Sequence, residues 1–363
     1  MELVNVLSMT AGNQECSYAH NSSLQKNVIL GSKNVLDDTI KNYGTEGFSE
    51  CLNVADLGCS CGPTAFLSVT NIINSVHAVC QEKNLKAPNE FQVFLNDLPN
   101  NDFNALFKTA PTYVLKPENE NGCKKPFNYY IYGVAGSFYT RLFPSKSLHL
   151  VHSSYGVHWL SQVPEKLLDS NKGNVYLAKE SPPGVYGAYF HQFKKDFTTF
   201  LRMRSVEMIP DGRMVLTLIG KNPVEDYCVY DLLAKSLQDM LVEGLLLEDD
   251  INSFNLPLYH PCTNELEALI KSESSFSIDR LETFKMNLDM RTEDEIIKSG
   301  ERSGKYIAKI LRAVMEPVLA SHFGNNCVDK LFERYAVHAS EQLSRTKIES
   351  FNIVISLTRK CKN

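Results

Sequence analysis

Two carboxylates stand near the ends of apolar runs in the first hundred residues. The run "CLNVADL" (51–57) carries Asp56 and the run "FQVFLNDL" (91–98) carries Asp97. Behind Asp56, Gly58 and Gly62 frame a turn that leads through Pro63 into a helical pattern. A glycine-containing turn from strand to helix brings backbone N–H groups and a helix N-terminus close to a ligand. Taken alone it is equally an ordinary tight turn, and each Asp alone serves equally as a helix N-cap or turn residue. The spacing Gly58-x-x-x-Gly62 is not the G-x-G-x-x-G of a dinucleotide site, and Asp97 comes too late to be its ribose acid. No GK[ST] follows for a nucleotide phosphate. A ligand without phosphates fits better. S-adenosylmethionine presents an ammonium, which Asp56 can receive directly or through water. It also presents a ribose diol, whose two donors suit the two oxygens of Asp97.

The elements that must position these groups follow from hydropathy. Strand-like runs occupy 51–57, 91–98, 128–134, 147–153 and 212–220, with helical patterns between several of them. After Gly62, Phe66, Val69, Ile72, Ile73, Val76 and Val79 recur at helical spacing. Alternating strands and helices predict an α/β fold with a parallel, doubly wound sheet. After Gly220 amphipathic helical patterns dominate, at 229–246, 263–271 and 303–320, and "SFNIVISLT" (350–358) reads as a last strand. The organisation expected is an amino-terminal lid segment over 1–50, a ligand-binding core over 51–220, a mainly helical cap over 221–349, and a final strand in 350–363 returning to the core sheet. "KPENENGCKKP" (116–126) reads as a polar surface loop.

Composition narrows the class. The 363 residues are 43 % hydrophobic and 22 % charged, with a net charge of −5, so nothing points to nucleic acid or to an anionic membrane. The start, "MELVNVLSMTAG", lacks a basic region and a long apolar segment, which predicts a cytoplasmic protein without a membrane span. The sequon at Asn21 is then a chance match. The ten cysteines form no CxxC pair; Cys59 and Cys61 are the tightest group, and all read as reduced thiols.

Seven segments together carry a resemblance: "SYAHNSSLQ" (17–25), "ADLGCSCGP" (55–63), "FLNDLPNNDFN" (94–104), "GSFYTRLFP" (136–144), "HSSYGVHWLSQVP" (152–164), "NKGN" (171–174) and "SFNLPLYHP" (253–261). In order along nearly the whole chain, they resemble the plant SABATH methyltransferases. That family includes salicylate, benzoate and jasmonate carboxyl methyltransferases and caffeine-pathway N-methyltransferases. The resemblance implies a Rossmann-like methyltransferase core with a mainly helical cap, S-adenosyl-L-methionine as methyl donor, and commonly a homodimer. It implies that Tyr18, Asp56, Gly58, Asp97, Leu98, Ser137 and Phe138 line the cofactor, with Ser137 and Phe138 beside the adenine. It implies that Gln25 and Trp159 hold the acceptor carboxylate, and that Tyr155, His158, Ile219, Val229, Tyr259, Leu311 and Phe351 wall the acceptor pocket. Each wall position is equally a core position on its own chemistry.

Departures from the family pattern matter too. Thr64 replaces an Asn, Ala135 replaces a Pro and is expected to loosen its loop, and Thr10 stands where similar salicylate enzymes carry Lys. Some relatives hold a metal through an Asn of "NKG" and an Asp-x-Phe-Asn group. Here Asn171 and Asn255 remain but the Asp is Asn252, a carboxylate-poor set, so no required metal is expected. The function expected is methyl transfer to the carboxylate of a small aromatic acid of salicylate or benzoate type. The alternative is N-methylation of a xanthine or similar heterocycle. A catalytically silent binding protein is the third reading, and the departures at Thr64, Ala135 and Asn252 are its only support.

Overall fold

The computed structural model describes residues 3–12, 14–114, 128–165, 167, 171–221, 229–299 and 302–361. The loop expected over 116–126 lies outside them. In chain order the elements are α1 (Ser23–Gly31), α2 (Lys33–Tyr43), β1 (Cys51–Leu57), α3 (Pro63–Glu82), β2 (Glu90–Asp97), α4 (Phe103–Val114), β3 (Asn128–Ala135), β4 (Leu148–Ser154), α5 (Pro183–Glu207), β5 (Met208–Ile219), α6 (Val229–Val242), α7 (Glu248–Asn252), α8 (Thr263–Glu273), β6 (Phe276–Asn287), α9 (Glu293–Ser299), α10 (Ser303–Phe323), α11 (Asn325–Leu343) and β7 (Glu349–Arg359).

The strands form one seven-stranded sheet in the order β3-β2-β1-β4-β5-β7-β6. The pairs from β3 through β5 are parallel, and β7 runs antiparallel between β5 and β6. Strand order reverses between β1 and β4, so their carboxyl ends open a crevice of the kind that binds ligands in such sheets. Pro63 opens α3 at its first turn, where its missing N–H costs nothing. Behind it Phe66, Ile72 and Val76 pack on Leu52, Val54, Phe91 and Val93 of the sheet. The opposite face is covered by α5, whose Tyr189, Phe193, Phe197 and Phe200 pack against Leu216, Leu218, Ile353 and Ile355.

Two features differ from the sequence reading. The segment 221–349 is not helical throughout, because it contains β6, which joins the core sheet as its outer strand. A register shift between Ile278 and Arg280 breaks the alternation of that strand, and charged Asp279, Arg280, Glu282 and Lys285 interrupt its apolar positions. Charges of this kind suit an edge strand. Next, β5 starts at Met208, four residues before the expected Gly212. Pro210, Asp211 and Gly212 read as a turn, yet they occupy an irregularity where the ladder jumps from Leu148↔Met208 to Leu150↔Arg213. Asp211 has φ +61 there.

Because β7 lies between β5 and β6, the core sheet depends on the last strand. Ile355 is fully buried between Leu216 and Leu281. Ile355→Ala should lower stability by about 2–5 kcal/mol in chemical unfolding. A loss below about 1 kcal/mol would place β7 outside the core.

Candidate active site

The carboxyl ends of β1, β2, β4 and β5 form the floor of a cavity of about 660 Å³. Its roof comes from α10, through Ile307, Leu311 and Met315, and from the amino-terminal residues Leu3, Leu7 and Met9. The amino-terminal stretch is fastened there by Thr10, whose N–H donates to the Ala313 carbonyl at 2.9 Å. The Thr10 hydroxyl faces the Arg312 carbonyl at 3.4 Å, and Thr10 is not part of the cavity wall.

Glycine shapes the crevice at the turn after β1. Gly58 has φ +74, and a Cβ there would meet the Gly156 Cα of the β4 turn at 3.2 Å. Gly62, at φ +110, passes Ala19 just as closely, 3.1 Å from a Cβ to the Ala19 Cα. Ser60 between them is also left-handed, with φ +59, and its N–H donates to Asp97 Oδ2 at 2.6 Å. Asp97 Oδ1 accepts the Leu98 N–H at 2.7 Å. Each carboxylate oxygen thus holds one backbone donor and keeps a lone pair for a further one, which fits a ribose diol. Burial pushes the Asp97 carboxyl up to about 6 against the pull of those two bonds, with Asp56 adding to the rise. Asn96, fully buried, donates its amide to the Val134 and Gly136 carbonyls at 2.8 and 2.9 Å, and so pins the backbone leading to Ser137. Ala135 completes the β2–β3 ladder opposite Asp97, so the loosening expected from its identity is countered by the ladder and by Asn96.

Tyr18, Gly58, Asp97, Leu98, Ser137 and Phe138 all line this cavity. Asp56 lines instead an adjoining cavity of about 20 Å³, shared with Tyr18, Gln25, Gly58 and Thr64, and its Oδ1 lies 2.7 Å from His152 Nδ1. That space is large enough for one water among polar walls. Gln25 Oε1 and Ser154 Oγ are buried at its border without a protein partner.

On the acceptor side, Gln25, Tyr155, His158, Trp159, Ile219, Val229, Leu311 and Phe351 line the main cavity. His158 Nδ1 accepts the Ile219 N–H at 3.2 Å, so its proton sits on Nε2 and the ring is neutral. Burial and the His260 ring beside it pull its pKa well below the ordinary value, in keeping with that tautomer. Tyr259 is a correction. It is fully buried and does not reach the cavity. Its hydroxyl donates to Glu265 Oε1 at 2.8 Å and its ring packs on Phe193. Leu258 forms an isolated antiparallel bridge with Trp159, and beyond it His260 lines the cavity where Tyr259 does not. Tyr139, Tyr176 and Tyr230 also line the cavity and were not foreseen. Tyr139 lies within the quoted "GSFYTRLFP", next to the two adenine-side residues. Tyr176 and Tyr230 carry no local signal that separates them from core tyrosines.

The amide group read as a degenerate metal site is closed on itself. Asn171 Nδ2 donates to Asn255 Oδ1 at 2.9 Å, Ser181 Oγ donates to Asn171 Oδ1 at 2.7 Å, and Asn252 Oδ1 accepts the Gly173 N–H at 3.0 Å. Each of these oxygens already accepts one donor, and none of the three side chains is a carboxylate.

A sequence profile described as SAM-dependent carboxyl methyltransferase matches residues 4–360. The chain belongs to that family. It is an S-adenosylmethionine-dependent methyltransferase of the group its motifs resemble, and the silent-protein reading falls away. It is 42 % identical to a salicylate/benzoate carboxyl methyltransferase of Arabidopsis thaliana over 98 % of this chain and 93 % of that one. It is 42 % identical to a probable caffeine synthase of Coffea canephora over 99 % of this chain and 98 % of that one. The solved structure of a loganic acid methyltransferase with S-adenosylhomocysteine superimposes with a TM-score of 0.83 at 33 % identity, over 98 % of this chain and 99 % of that one. No helix among the described residues is long and apolar enough to cross a membrane.

Two outcomes follow from the geometry. An ionised Asp97 accepts from the ribose, and a protonated one loses an acceptor position. Affinity for S-adenosylmethionine should therefore fall as pH drops through about 6, becoming roughly tenfold weaker at pH 5 than at pH 7.5. Asp97→Asn should bind weakly and show no such slope in calorimetry. An Asp97→Asn variant that binds as tightly as the wild type would remove Asp97 from the cofactor site. Separately, EDTA treatment should leave methyl transfer intact, because the Asn171–Asn252–Asn255 set offers no carboxylate to a divalent cation. Activity restored only by Mg²⁺ would contradict this.

Proposed function

We propose that this methyltransferase acts on the carboxylate of a small aromatic acid of salicylate or benzoate type and releases the methyl ester. The observation that carries the reading is that Gln25 and Trp159, both neutral N–H donors, wall the same cavity as Asp97 and Ser137. S-adenosylmethionine supplies a methyl group on a positively charged sulfur. What the chain must do is hold a nucleophilic oxygen in line, at about 3 Å, and keep water away; positioning of this kind is worth roughly 7–11 kcal/mol. A carboxylate is already ionised at neutral pH, so no general base is required. The wall accords with that: His158 is held neutral, and its Nδ1 is occupied by a backbone N–H.

Neutral donors suit an anion that must remain nucleophilic. Two of them fix the plane of a carboxylate without the tight ion pair that would dull its attack. Tyr155, Tyr176, Tyr230, Leu311 and Phe351 give the wall an aromatic and apolar part that fits a planar ring, while Lys179, Lys221 and Glu349 also border the cavity. Thr10 does not bring a charge to the cavity, so the carboxylate does not meet a cation at that position. The amino-terminal residues over the roof would act as a lid, and the functional unit would be a cytoplasmic homodimer.

N-methylation of a xanthine-type heterocycle is the second reading. It is favoured by the similarity to the coffee relative. In that case the same two donors would meet ring carbonyl oxygens.

Each hydrogen bond to a charged group is worth roughly 1.5–3 kcal/mol, so Gln25→Ala or Trp159→Phe should lower kcat/KM for the acid about 10–150-fold. Cofactor affinity should barely change. Steady-state kinetics with a panel of benzoates, jasmonate-type acids and xanthines tests this. Trp159→Phe retaining most activity would make Trp159 a packing residue only.

A further inference from the structure

The helix α5 carries four polar side chains that the proposed chemistry does not use: Gln192, Asp196, Arg204 and Glu207. All are buried, at 5 % exposure or less, on a helix that otherwise fills the core with Tyr189, Phe193, Phe197 and Phe200. Charges in such a place are tolerated only when each meets well-placed partners. Several of those partners belong to the two chain segments that form the site.

Asp196 holds the acceptor segment. Its Oδ2 accepts the Ser161 N–H at 2.8 Å and its Oδ1 accepts the Ser161 hydroxyl at 2.7 Å, two residues beyond Trp159. Gln192 braces the same oxygen at 3.0 Å. Two turns further along, Arg204 and Glu207 hold the segment after β3. Arg204 donates to the Phe138 and Thr140 carbonyls at 2.8 and 3.0 Å and to Glu207 Oε2 at 2.7 Å. Glu207 Oε1 accepts the N–H groups of Leu142 and Phe143 at 2.6 and 3.1 Å. The two gripped segments are joined by Tyr139, whose hydroxyl donates to the Trp159 carbonyl at 2.6 Å.

We propose that α5 sets the spacing of the two substrates: Asp196 positions the Trp159 segment, the Arg204–Glu207 pair positions the Ser137–Phe138 segment, and Tyr139 transmits the state of one to the other. In-line transfer tolerates little error, and a displacement of about 1 Å can cost on the order of a hundredfold in rate. The two segments come from different loops, after β3 and after β4. A single rigid helix gripping both is a direct way to keep their distance constant. The buried charge of α5 is placed where backbone must be held, since carboxylate and guanidinium groups offer several directed bonds each. These are positioning residues, acting through Trp159, Ser137 and Phe138. The acceptor half rests on the reading of Trp159 given above; the cofactor half does not.

The single tryptophan makes the test possible without knowing the acceptor. Its emission reports on the acceptor segment, and calorimetry with S-adenosylhomocysteine reports on the cofactor segment. Glu207→Gln should weaken S-adenosylhomocysteine about tenfold and shift the emission of the ligand-free protein less than Asp196→Asn does. Asp196→Asn should shift Trp159 emission to the red and leave S-adenosylhomocysteine affinity within about twofold. A helix that only stabilises the fold would move both readouts together in both variants, or move neither, and either result overturns the proposal. Should a charged variant fail to fold, Tyr139→Phe decides. In the wild type, S-adenosylhomocysteine should change Trp159 emission; Tyr139→Phe should bind the ligand without that change. A wild type with no change, or a Tyr139→Phe variant that keeps it, also overturns the proposal. The kinetics of Trp159→Phe test the acceptor reading separately, and its failure would leave the effect of Glu207→Gln on cofactor binding in place.

Discussion

A half-buried carboxylate at the end of β2 organises this enzyme. Asp97 sits where the turn after β1 and the start of the loop after β3 come together. Its two oxygens collect the N–H groups of Ser60 and Leu98. To supply the first of those donors, Ser60 takes a left-handed conformation between Gly58 and Gly62, and both glycines are themselves at positive φ. Strain of this kind persists only when the surroundings enforce it. Here they do: Gly58 N–H and Cys59 N–H both donate to the Asn96 carbonyl at 2.9 Å, and Asn96 in turn clamps the segment ahead of Ser137. The acid is desolvated, with a carboxyl pushed up to about 6. Each oxygen keeps a lone pair beyond its backbone donor, and the two hydroxyls of a ribose diol suit them.

Much of this was legible in the sequence because it rests on short-range pattern. The runs that became β1, β2, β3, β4 and β7 are apolar and bounded by polar or turn residues, and their limits agree with the structure to within one residue. The helix after Gly62 follows from apolar spacing and from Pro63. The residues assigned by resemblance to the cofactor and acceptor fall around one cavity, apart from Asp56 and Tyr259.

What was not legible depends on long-range placement. The strand β6 hides its alternation behind a register shift and the charges of an edge. Tyr259 and His260 are neighbours, and nothing local says which of them lines the cavity. The polar residues of α5 carry no local signal of what they hold. Their partners lie far away in sequence, 35 residues for Asp196 and Ser161 and 66 for Arg204 and Phe138, and only folding brings them together.

The account joins these parts into one statement about chemistry. Two neutral N–H donors and a neutral His158 on the cavity wall suit the proposed transfer to an oxygen that is already an anion. The most direct measurement is the fate of a labelled methyl group. The enzyme is incubated with methyl-labelled S-adenosylmethionine and a mixture of aromatic acids and xanthines, and the products are treated with mild alkali before mass spectrometry. Label released by alkali as an ester would be is the result expected here. Alkali-stable label on a ring nitrogen would contradict the assignment of Gln25 and Trp159 to a carboxylate.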